Sequence, residues 1–202
     1  MYSNKTVKIS QIVIYPLMHM FFKTFFKTKL EIKLDLKKGE HYLFVPNHPW
    51  RMDPFLIFYL MPFRKLIKIM PLRFMTAKKY MVNPVSRFFL SLLGCYEINE
   101  NVLKESVDLL KNNSSLCIFI QGRIDENYNE KPKVGAIYIK KKFMNSHIVP
   151  VKIHIDKSLN IFNILFRRIN IDIKFMREFI PKQFTKDLQP LADKLLNKIK
   201  NG

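Results

Sequence analysis

Residues 40–60 read EHYLFVPNHPWRMDPFLIFYL, and the order of apolar and polar positions predicts strand, loop and helix in succession. Glu40–Pro46 is a short apolar run, the pattern of a buried strand. Asn47–Met52 breaks it with polar and proline residues, so the chain leaves the sheet there. Asp53-Pro54 then opens a helix, because Asp is a favoured N-cap, Pro fits the first helical position, and Phe55–Leu60 supplies the apolar run that follows.

The same alternation recurs on either side. Lys65–Ile69 and Phe74–Thr76 read as short strands; Asn83-Pro84 caps a helix running through Leu93 and ended by Gly94. Asn101–Asn112 is an amphipathic helix with Val102, Leu103, Val107 and Leu110 on one side. Ser115–Ile120 (SLCIFI) is a second apolar strand, halted at Gln121-Gly122-Arg123. Lys133–Phe143 reads as a helix, His147–Ile155 and Ile169–Phe175 as strands, and Asp187–Lys200 as a closing helix. Strands alternating with helices predict an α/β fold: a single domain with a mixed, largely parallel sheet flanked by helices. Active sites in such sheets gather where strand ends meet loops.

Toward the N-terminus, the apolar stretch around Ile12–Phe26 is interrupted by Pro16, His19 and Lys23, and no small-residue cleavage site follows. That disfavours a signal peptide or a membrane span. The stretch reads as an amphipathic helix lying on a membrane, which divides the chain into a membrane-association segment (1–30) and a main domain (31–202).

With 202 residues, 48% of them hydrophobic, the chain can bury a core and is not expected to be disordered. Its 35 Lys+Arg against 16 Asp+Glu give a net charge of +19, a field that attracts nucleic acid, anionic lipid headgroups and acidic carrier proteins alike. Phe55–Tyr96 holds Arg64, Lys65, Lys68, Arg73, Lys78, Lys79 and Arg87 and no acid, interleaved with Phe, Leu, Ile and Met as on an interfacial surface. A nucleic-acid reading finds no RNP-like, KH or zinc-finger module, so no specific nucleic acid is expected. Cys95 and Cys117 have no CxxC spacing or nearby His, which argues against a metal site or redox motif and fits a reducing compartment.

His48 and Asp53, five positions apart, carry the candidate chemistry. A loop that folds back brings the carboxylate to one imidazole nitrogen and leaves the other facing a substrate, the logic of His–carboxylate catalysis. No GxSxG elbow accompanies them, so the base would activate a hydroxyl of a second substrate. Taken alone, the pair is also explained by helix capping.

Asn47-His48-(four residues)-Asp53 resembles the NHxxxxD signature of the glycerolipid acyltransferases, the PlsC-like superfamily. Phe119-Ile120-Gln121-Gly122 looks like that family's FPEG block, Lys133-Val134-Gly135-Ala136 is similar to KxGA, and Ile148-Val149-Pro150-Val151 matches IVPV. The resemblance implies fatty acyl transfer from acyl-carrier protein (acyl-ACP) or acyl-coenzyme A (acyl-CoA), as co-substrate, to a lysophospholipid or related hydroxyl. His48 would be the general base and Asp53 its orienter, with Asn47, Gln121, Gly122, Arg123 and Pro150 near the substrate. It implies no metal, no resident cofactor, and a peripheral place on the cytoplasmic face of a membrane.

The sequence departs from the family at Gln121, where a Glu is usual, and at Arg123, which follows Gly122 directly whereas the family's phosphate-binding Arg stands one place later, at Ile124. Gly94–Asn101 (GCYEINEN) supplies acids where the family's second block ends in a base. These differences weaken the expectation of a phosphomonoester acceptor and leave open a non-catalytic, lipid-binding relative as the alternative. His147 and His154 have no carboxylate at useful spacing and read as structural.

Overall fold

The computed structural model describes every residue except Met1, Arg51, Glu126, 157–162, 165, 167 and 168. Strands β1 (Lys27–Ile32), β2 (His41–Pro46), β3 (Leu72–Thr76), β4 (Cys95–Glu97), β5 (Ser115–Cys117), β6 (Ser146–Ile155) and β7 (Asn170–Phe175) form a seven-stranded sheet in the order β1-β7-β6-β2-β5-β3-β4. All neighbours are parallel except β6 and β7. The α/β class and the mixed, largely parallel sheet are those that the alternation of elements predicts.

Helices α1 (Asn4–Phe25), α2 (Asp53–Leu60), α3 (Phe63–Ile69), α4 (Pro84–Leu92), α5 (Val102–Lys111), α6 (Gly135–Lys142) and α7 (Gln189–Asn201) cover the sheet. Side chains alternate across a strand, so β2 feeds two apolar layers. Phe44 packs with Phe58, Phe74 and Phe175 on one face. Leu43 and Val45 pack with Leu110, Ile137 and Leu195 on the other.

Asn83 caps α4, its Oδ1 accepting from the N–H of Val85 at 2.9 Å, and Gly94 follows that helix with φ +99°. Strands β1 and β4 have no counterpart in the reading of the sequence, and two expected elements take another form. Lys65–Ile69 lies in a helix, because its buried residues are Leu66 and Ile69, three apart, while Ile67 between them is 40% exposed. In α2 the cap is Met52, with Asp53 and Pro54 already helical, since the Asp53 carboxylate is turned back toward the preceding loop.

Helix α1 carries two apolar stripes. Val7, Tyr15 and Phe22 are buried with Gln11, whose Nε2 donates to the carbonyls of Leu72 (2.6 Å) and Leu93 (2.9 Å). Ile9, Val13, Leu17, Met20 and Phe21 remain exposed. The helix packs against α2 and α4, and β1 crosses position 30 to pair with β7. No helix among the described residues is long and apolar enough to cross a membrane.

Candidate active site

Strands β2, β5, β3 and β4 run parallel, so their C-terminal ends share one edge of the sheet. The loop after β2 carries His48 there. Its Nδ1 lies 3.0 Å from Asp53 Oδ2, and the same oxygen accepts the Trp50 N–H at 2.8 Å. An ionised carboxylate only accepts, so the imidazole proton sits on Nδ1 and Nε2 is the basic nitrogen. Asp53 is fully buried in the first turn of α2, where helical N–H groups favour negative charge. The His48 ring stacks on Phe119, with centroids 4.0 Å apart and planes at 24°.

The loop is pinned on both sides. Asn47, 2% exposed, donates from Nδ2 to the Ile153 carbonyl (2.9 Å) and accepts the Ile153 N–H at Oδ1 (2.7 Å). Its side chain thus adds one more pair to the β2–β6 ladder. The His48 N–H donates to Gln121 Oε1 at 3.1 Å, and the His48 carbonyl accepts the Asp125 N–H at 2.9 Å.

A cavity of about 670 Å³ opens at this edge, walled by His48, Phe55, Met75, Leu103, Ile118 and Phe119. Its charged side chains among the described residues are Lys79, Arg123 and Lys133, with no Asp or Glu among those described. Arg123 is paired with Glu130 and is 69% exposed. Gly122 has φ +74°, and a Cβ there would stand 3.4 Å from Lys133 Cγ, so the lysine stem lies along its backbone. Cys95 also reaches the wall, and burial pushes its thiol up to about 11, leaving it a weak nucleophile at neutral pH. Among the described residues no cluster of His, Cys, Asp or Glu has the arrangement of a metal site.

The expected site residues separate into two groups. His48, Asp53, Gly122 and Arg123 meet at the cavity or directly behind it. Asn47, Gln121 and Pro150 are buried away from its surface; Pro150 pairs with Val45 inside the sheet. Lys79 and Asp125 stand outside every motif. They join the site only because β3 and β5 bring their loops beside His48. At the opposite end of β2 and β6, His147 Nδ1 lies 3.0 Å from Glu178 Oε2 and its Nε2 lies 3.8 Å from Glu40. It has carboxylate partners that sequence spacing does not reveal. The Tyr42 hydroxyl, donating to Glu40 at 2.6 Å, leads the effects that hold that carboxyl below its ordinary range.

Residues 27–154 match the family model described as Acyltransferase, a span that begins with β1 and includes His48, Asp53, Gln121 and Pro150. No curated protein matches the chain. Nine chains of solved structures do. One is the 1-acyl-sn-glycerophosphate (LPA) acyltransferase PlsC from Thermotoga maritima, 18% identical, with a TM-score of 0.68 over 95% of this chain and 79% of that one. That likeness shows a shared fold, and the family model takes in the His48–Asp53 loop and most of the sheet around it. The chain belongs to the acyltransferase family.

Proposed function

We propose that the protein transfers a fatty acyl group from an acyl-ACP or acyl-CoA thioester to the hydroxyl of a lysophospholipid or related glycerolipid at a membrane surface. The observation that carries this reading is His48, its Nδ1 3.0 Å from a buried carboxylate, on the wall of a largely apolar cavity. Nε2 takes the acceptor's proton as its oxygen attacks the thioester carbonyl. Asp53 stabilises the resulting imidazolium, and His48 returns the proton to the departing thiolate. The protein forms no acyl intermediate.

Apolar burial at about 0.8 kcal/mol per methylene favours an acyl chain in the cavity. Lys79 and Lys133 suit an anionic headgroup, while Arg123 is already engaged by Glu130. The exposed stripe of α1 supports a peripheral, lipid-facing position, and the basic surface suits the anionic lipid of a cytoplasmic leaflet.

The test is transfer from labelled acyl-ACP and acyl-CoA to a panel of lysolipids. The wild type is expected to turn over at least one acceptor, and His48→Ala to lose about 10³-fold or more in kcat. Equal rates in both proteins would remove His48 from the mechanism. Lipid binding without turnover in either would favour a non-catalytic relative.

A further inference from the structure

We infer that Gln121 and Asp125 form a latch that fixes His48 by its backbone, and that the latch requires an uncharged donor at position 121. The inference rests on the proposed role of His48 as the base. Gln121 is 0% exposed, so it touches no substrate; it is a positioning residue. Its Oε1 accepts the His48 N–H at 3.1 Å. Its Nε2 donates to Asp125 twice, to the backbone carbonyl and to Oδ2, both at 3.2 Å. Asp125 closes the ring by donating its own N–H to the His48 carbonyl at 2.9 Å. Both backbone groups of His48 are therefore held by one pair of residues.

The chemistry at each end is specific. Asp125 is arranged for a negative charge: Oδ1 accepts the Asn127 N–H at 3.2 Å and Oδ2 the Glu130 N–H at 2.7 Å. The partner facing that carboxylate must donate, while its other atom must accept from His48. An amide does both; an ionised carboxylate has no donor. The Gln at 121, where the family usually has Glu, is accounted for by the acid four residues later. A Glu at 121 would face Asp125 across hydrogen-bond distance, and two such carboxylates hold on to a shared proton.

Kinetics of Gln121→Glu, Asp125→Asn and the double variant, with amide hydrogen exchange at His48, test the latch. Gln121→Glu is expected to lose roughly ten- to a hundredfold in kcat at pH 8 through misplacement of the base. Its KM for the acyl donor should stay within about twofold, since the cavity wall is untouched. The loss should shrink toward pH 5.5, where the shared proton restores a donor. Thermal stability should follow the same course. The folded pair binds its proton more tightly than the unfolded chain does, so stability is present at low pH and lost as pH rises through the folded value.

In the double variant the amide introduced at position 125 donates to the carboxylate introduced at position 121 but no longer accepts the Glu130 N–H at that atom, so kcat at pH 8 should recover in part, to about threefold or more above Gln121→Glu. A wild-type pH profile for Gln121→Glu, or no recovery in the double variant, overturns the latch. If the wild type transfers no acyl group, the proposed function falls separately. Faster His48 amide exchange in Gln121→Glu at pH 8, reversed in the double variant, then still supports the latch, and unchanged exchange refutes it.

Discussion

Asp53 serves His48 in two ways that one substitution separates. Its Oδ2 accepts both the His48 Nδ1–H and the Trp50 N–H, fixing ring and loop, and in the proposed mechanism its charge would stabilise the imidazolium formed when Nε2 takes a proton. Asp53→Asn keeps an oxygen able to accept from both donors but removes the charge. It is expected to lower kcat roughly 10²- to 10³-fold while KM stays nearly constant, because the missing interaction is felt most in the transition state. Asp53→Ala, which removes the acceptor as well, should do no better. Steady-state kinetics on the three proteins decide the matter; full kcat in Asp53→Asn would mean that the carboxylate matters for geometry alone.

The junction of α1, β3 and α4 shows how tightly the elements constrain one another. Gly94 sits at φ +99°, and a Cβ there would lie 2.5 Å from the Leu72 carbonyl oxygen and 2.9 Å from Gln11 Nε2. Both atoms belong to the buried bridge between α1 and β3. Gly94→Ala is therefore expected to cost about 2–4 kcal/mol through strain and loss of the Gln11 bonds, lowering Tm by roughly 5–15 °C for a chain of this size. Gly39 is the control. It has φ +86° but nothing within 4 Å of a new Cβ, so Gly39→Ala should cost only about 1 kcal/mol of backbone strain. Equal shifts in the two would place the cost in φ rather than in the junction.

Elements with local signals, such as α4 between its Asn83 cap and Gly94, are legible in the sequence for the same reason. Strand β1 is not: KTKLEI alternates exposed and half-buried positions and is a strand through its pairing with β7, far along the chain. Helix α3 reads as a strand until the spacing of Leu66 and Ile69 is tied to burial. In the site, His48 and Asp53 are legible because both lie in one loop. The grip of Gln121 on His48 and that of Glu178 on His147 depend on the register of β2 against β5 and β6, which no short window contains.

Across the whole molecule the charge pattern acquires a direction. Residues 2–30 and 54–96 contain no Asp or Glu, and the fold brings them together: α1 packs on α2 and α4, Tyr2 meets Phe88 edge to face at 6.2 Å, and Tyr15 meets Phe63 at 5.1 Å. The exposed stripe from Ile9 to Phe21 is about 18 Å long at 1.5 Å per residue. Beside it, α4 buries none of its residues and exposes Val85, Phe88 and Phe89. Exposed Lys5, Lys23, Arg64, Lys78, Lys79 and Arg87 lie in the same acid-free segments. Leu90 of α4, with Lys79 and Tyr80 before it, lines the cavity, so a bilayer meeting this face would present lipid close to His48. Each cation near an anionic surface contributes about 1 kcal/mol, within a Debye length that shrinks with salt. Vesicles containing phosphatidylglycerol are therefore expected to sediment the protein at about 50 mM salt, with binding weakened at about 500 mM, and pure phosphatidylcholine vesicles to bind far less. Val13→Asp and Phe89→Asp, both at exposed positions, should each reduce binding about tenfold without lowering Tm, because they remove inserted apolar area and add repulsion. Undiminished binding in both variants would move the membrane contact to another face and leave the two exposed stripes without a lipid partner.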